Sequence, residues 1–147
     1  MRRWNLLAAV IALGLLVTAC ASNKDTGFPQ DVQRTEKTVN CSEAVDDPAP
    51  YEGPVLVGDN CYLPKVITVA SGTTVMWEQL GVAPHSVTAA DDSYDSNPDC
   101  LSDPSTCMAK GDTFEQTFDT PGEYTYYCVL HGSASGAGMA GKVIVEA

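Results

Sequence analysis

Apolar side chains in the latter part of the chain recur at every second position, in short runs cut by glycine and proline. Val75 and Trp77 share a face within Thr73 to Gln79. Phe114, Gln116 and Phe118 alternate after the turn Lys110-Gly111-Asp112. Tyr124, Tyr126 and Cys128 share a face after Thr120-Pro121-Gly122, with Tyr127 on the reverse. A period of two is what a half-buried strand requires, because successive side chains leave the pleat on opposite sides. A β-branched run, Val66 to Val69, ends at Ser71-Gly72; Ser86 to Ala89 is short and β-like, and Val143-Ile144-Val145 lies in a run from Lys142 to Glu146. No stretch holds a helical period. Short strands with this punctuation predict an all-β sandwich or barrel. The acidic stretch from Asp91 to Lys110 lacks strand character and reads as a long loop before the last strands.

The N-terminus reads as an address. Arg2 and Arg3 precede an apolar run of twelve residues, Leu6 to Val17. Such a run suits a secretory signal over residues 1–19 and is too short to span a bilayer. Val17-Thr18-Ala19-Cys20 resembles a bacterial lipobox, in which the cysteine is acylated and becomes the new N-terminus. Residues 20–50, rich in Asp, Glu, Lys, Thr, Asn and Pro, then form a lipid-anchored tether, flexible at least as far as Cys41. The folded domain occupies 51–147. The location expected is outside the membrane, facing the periplasm or the cell exterior.

The whole chain carries a formal net charge of −11; from Cys20 onward six basic and nineteen acidic side chains leave 6 − 19 = −13. That balance argues against nucleic acid. It would steer the protein toward redox partners with basic docking faces, or serve solubility alone. Nothing in the sequence asks for more than a monomer.

The six cysteines sort by position. Cys20 is the lipid site. Cys41, Cys61, Cys100 and Cys107 are an even set in an exported chain and so are expected in disulfides. Of the three pairings, Cys41–Cys61 and Cys100–Cys107 each close a local loop. That leaves Cys128 unpaired in an oxidising compartment, which normally has a reason.

The reason lies beside it. Cys128 and His131 are followed by Met139, and His85 stands upstream in Ala83-Pro84-His85-Ser86-Val87; the chain has two histidines, and both are here. Two imidazoles, a soft thiolate and a weak thioether are the ligand set of a mononuclear electron-transfer copper site. The thioether would bind long and weakly, which suits a geometry between those preferred by Cu(I) and Cu(II). A catalytic centre would want an open coordination position, and a multicopper oxidase more than two histidines; the chain is not read as an enzyme.

From about Tyr62 to Val145 the chain resembles a plastocyanin-type cupredoxin. The matching stretches are Thr74-Val75-Met76-Trp77, Pro84-His85-Ser86-Val87, Gly111-Asp112-Thr113-Phe114, Pro121-Gly122-Glu123-Tyr124, Tyr126 to His131 and Gly138 to Val143. The resemblance implies a Greek-key β-sandwich of about seven to eight strands and one type 1 copper ion carrying single electrons. His85, Cys128 and His131 would be its strong ligands and Met139 the axial one, with Met76 and Met108 as alternatives. It also implies that Tyr127 could offer a remote route for electrons. Two departures stand out: Ser86 where many plastocyanin-like members have asparagine, and the glycine-rich stretch Gly132 to Gly138 between the later histidine and methionine. The rival function is copper delivery or storage, which would favour exchangeable, Met- or Cys-rich ligation.

Overall fold

The computed structural model describes residues 38–147. Cys20, the signal segment and the tether up to residue 37 lie outside the described residues. Nine strands follow in chain order: β1 (Ala49–Pro50), β2 (Val55–Gly58), β3 (Cys61–Leu63), β4 (Val66–Ala70), β5 (Thr73–Gln79), β6 (Thr88–Ala89), β7 (Thr113–Phe118), β8 (Gly122–Gly132) and β9 (Gly138–Glu146). They form two sheets, ordered β1-β4-β9-β8-β6 and β3-β2-β5-β7. From β4 to β8 the chain changes sheet at every step. Such crossing between layers is why β4 pairs parallel with β9, and β2 with β5, while the other long pairs are antiparallel. The arrangement is that of a Greek-key sandwich.

The count exceeds the seven or eight expected because β1 and β6 have two residues each. So short an element carries no periodicity to read. The expected alternation is what fills the core. On β5, Val75, Trp77 and Gln79 are buried while Met76 and Glu78 are only half so. Trp77 lies at the centre, its ring centroid 5.2 Å from that of Tyr126, 5.8 Å from Phe114 and 6.4 Å from both Tyr94 and Phe118.

Residues 38–50, assigned to the tether on composition, are bound to the sandwich. Cys41–Glu43 form one 3-10 turn, capped by the Asn40 side chain accepting from the Ser42 amide. Cys41 is disulfide-bonded to Cys61, and β1 pairs with Ile67 and Thr68 of β4. A covalent bond and a strand pairing do here what apolar residues do elsewhere. Cys100 is bonded to Cys107 inside the long acidic loop. Both local pairings expected from the sequence are therefore formed, and Cys128 is the one free cysteine among the described residues. No helix of the described residues is long and apolar enough to cross a membrane.

Candidate metal centre

His85 is delivered by a short loop pinned from two sides. At the end of β5 the buried Gln79 donates from Nε2 to the Ala83 carbonyl at 2.6 Å. From the β2–β3 turn, Asp59 Oδ1 accepts the amides of Val82 at 2.7 Å and Ala83 at 2.8 Å. His85 then exchanges both backbone hydrogen bonds with Met108. Held this way, it is completely buried.

Cys128 and His131 both lie on β8, where the pairing with β9 breaks register. Tyr127 stands opposite Ala140 and Gly132 opposite Gly138, so residues 128–131 stand against Met139 alone. This wide bulge re-aims side chains out of the simple alternation. It lets a thiolate and an imidazole three residues apart face one point. The seven residues from Gly132 to Gly138 close as a hairpin, with Ser133 donating to the Ala137 carbonyl and Gly136 to that of Ser133. Glycine is required at both ends of it. A Cβ on Gly132 would run into the Met139 carbonyl, and one on Gly138 into that of His131. Gly138 also has φ +71°, in the left-handed region. Gly138→Ala should therefore cost at least ~1–2 kcal/mol from the backbone alone. Urea unfolding of the metal-free protein would measure it, with Gly53→Ala, whose Cβ would meet open space, as the near-neutral control.

The three donors converge. His131 Nδ1 is 3.1 Å from His85 Nδ1, and Cys128 Sγ is 3.4 Å from His131 Nδ1 and 3.6 Å from His85 Nδ1. They are the one such cluster of His, Cys, Asp or Glu donors among the described residues. A triangle with sides 3.1, 3.4 and 3.6 Å has its centre about 2.0 Å from each corner. A first-row metal binds imidazole nitrogen at about 2.0–2.1 Å and thiolate at about 2.3 Å. The donors are thus placed for one small ion with little rearrangement. Cys128 and His85 are buried and His131 is half-exposed. Burial, and next the neighbouring His131, hold the His85 imidazole below its ordinary pKa, opposed by Asp59. A neutral ring is the form that ligates.

Ser86 ties the two ligand-bearing segments together. Its Oγ accepts the Val129 amide at 3.1 Å, linking the His85 segment to the Cys128 segment, and lies 3.0 Å from Thr88 Oγ1. The Ser86 carbonyl accepts from the buried Tyr62 hydroxyl at 2.6 Å. Of the methionines, Met139 and Met108 are buried, whereas Met76 sits on the half-exposed positions of β5. Tyr127 is half-buried on the face of β8 opposite Tyr126 and Cys128, as the alternation requires. Asp59 carries no such signal in the sequence, where Gly58-Asp59-Asn60 has only the composition of a turn.

The model of copper binding proteins of the plastocyanin/azurin family matches residues 55–146. The chain belongs to that family. Chloroplastic plastocyanin of Tetradesmus obliquus is 38% identical over 85 residues, which are 56% of this chain and 57% of the relative. That of Chlamydomonas reinhardtii is 37% identical over 87 residues, 58% of each. This plastocyanin-like chain therefore spans a little over half the length of each of these two relatives. Among solved structures, a purple cupredoxin from Nitrosopumilus maritimus superposes with a TM-score of 0.51 at 24% identity, over 65% of this chain and all of that one. That likeness speaks to the fold. The cupredoxin donor set of His85, Cys128 and His131 fits a single type 1 copper in chemistry and in spacing.

Proposed function

We propose that the protein is a one-electron carrier whose mononuclear type 1 copper cycles between Cu(I) and Cu(II), tethered to a membrane through acylated Cys20. The observation that carries the reading is the convergence of two imidazole nitrogens and one thiolate on a point about 2.0 Å from each. His85, Cys128 and His131 would hold the ion, and Met139, which faces the Cys128–His131 bulge, would be its weak axial ligand. When bound, copper supplies the redox couple. The chain's part is to hold the donors in one arrangement for both oxidation states, so that little reorganises as the electron moves. A bulge locked by β9, Ser86 and the pinned His85 loop is suited to that. It is less suited to a delivery site, where the ion must leave readily.

In the segments that carry His85 and the half-exposed His131, Val82, Pro84, Ala134 and Ala137 are exposed and Leu130 partly buried; Val82 is 85% exposed. These form an apolar apron for brief docking of redox protein partners, whose basic faces would complement the chain's acidity. Val82→Lys and Leu130→Lys should slow electron exchange with such a partner about tenfold or more, the scale on which surface charge changes on-rates. The visible spectrum should stay as it was; an unchanged rate would remove the apron. Tyr127, on the opposite face, is the proposed remote route.

The deciding experiment adds Cu(II) to the purified domain. One equivalent should bind with an intense visible thiolate-to-copper band that bleaches on reduction and returns on oxidation, the ion being retained throughout. Colourless Cu(I) binding that exchanges readily would instead assign the protein to copper delivery or storage.

A further inference from the structure

Asp59 and the next residue, Asn60, form the two-residue turn between Gly58 and Cys61. One oxygen of its carboxylate, Oδ1, takes the Val82 and Ala83 amides and also lies 3.7 Å from Nε2 of His85. The His85 side chain otherwise makes its polar contacts through Nδ1, toward Cys128 and His131. With the Nδ1 lone pair aimed at the centre, the ring's one proton belongs on Nε2. That nitrogen is buried and has no hydrogen-bond partner, so the carboxylate is the acceptor that faces it. Gly81 lets the loop close on the turn, since a Cβ there would collide with Asp59 Oδ1 and crowd its amide. The turn itself is stapled through the Cys41–Cys61 bond.

We propose that the Asp59 carboxylate is the outer partner of His85, holding the ring as its Nε2–H tautomer and lowering the reduction potential of the copper by placing a negative charge behind one ligand. The inference rests on the type 1 copper reading of the site. Metal-bound histidines usually direct their second ring nitrogen at a carboxylate, a carbonyl or water, and this fixes the ring and raises its basicity. In the step affected, Cu(II) takes one electron from a reduced protein partner and becomes Cu(I). The oxidised site carries one more positive charge, so a nearby anion favours it. The Asp59 side chain is 48% exposed, and solvent screening keeps the effect moderate.

A purely structural Asp59 would only cap the loop before His85. Asp59→Asn separates the two roles, because the amide oxygen still accepts from Val82 and Ala83 while the charge is gone. In the copper-loaded variant the equilibrium should move about tenfold toward Cu(I), which is about 59 mV for one electron. A shift below about twofold overturns the tuning role. The copper-free protein gives a second readout, independent of the metal. Long-range proton–nitrogen NMR should find His85 as the Nε2–H form in the parent and as a tautomer mixture in Asp59→Ala. The Nδ1–H form in the parent, or an unchanged tautomer in that variant, overturns the orienting role. If no visible band forms at all, the copper reading has failed, and the tautomer measurement still decides what Asp59 does to the ring.

Discussion

Cys128→Ser should abolish the visible charge-transfer band of the copper-loaded protein while leaving a folded, colourless domain. The band requires a sulfur that gives up electron density to Cu(II), and Cys128 is the only free thiol among the described residues. A serine hydroxyl fits the same buried position but does not ionise at neutral pH, so the triangle of donors keeps its shape and loses its anion. Copper affinity should fall by more than ~100-fold, since loss of an outer partner alone costs ~10–100-fold. Titration with Cu(II), followed at the band and by direct metal analysis, tests both halves. A band that survived the substitution would move the metal away from Cys128 and sink the assignment. The unfolding midpoint of the metal-free variant, close to that of the parent, guards against reading a misfolded protein as a ligand effect.

Trp77→Ala carries the second large effect, and it acts on the fold. Trp77 is fully buried, with ring contacts to Tyr94, Phe114, Phe118 and Tyr126. These partners come from the long loop, β7 and β8, so no single neighbour can move in to fill the space. Truncating a tryptophan in such a core costs about 3–5 kcal/mol. A domain's whole stability is about 5–15 kcal/mol, so about a fifth or more of it is at stake. At about 4–8 °C per kcal/mol for a domain near this size, the melting temperature should drop by well over 10 °C. The comparison belongs on metal-free protein, because a ligand that binds only the native state would mask part of the loss. A drop of only a degree or two would mean that the sandwich does not depend on this ring.

How far the sequence reveals such features depends on their spacing. Val75 and Trp77 could be placed in the core because a strand writes its buried face at every second residue. Cys128, His131 and His85 could be named as ligands because few side chains can hold copper and the chain offers so few of them. Asp59 could not, since its part depends on a turn being folded back against a loop more than twenty residues away. Nor could β1, whose two residues earn their pairing from the Cys41–Cys61 bond and from β4. The stretch from Gly132 to Gly138 shows in the sequence only as a glycine-rich departure between His131 and Met139. It is a hairpin, and its glycines are there because two carbonyls approach where side chains would be. Ser86 lies between: the sequence places it beside His85, but the reach of its hydroxyl to the Val129 amide comes only with the fold.

The position of β9 bears on how the protein is made. Last of the nine described strands, it lies between β4 and β8 in the middle of its sheet. A nascent chain can complete neither of those pairings until residue 146 has been synthesised. Met139 arrives with that final strand, and the bulge holding Cys128 and His131 has nothing to bulge against before it. A partly made chain thus has no assembled trap for copper, whatever metal surrounds it. Loading has to follow the synthesis and pairing of β9, so the surroundings in which that strand docks determine which metal the finished site first meets.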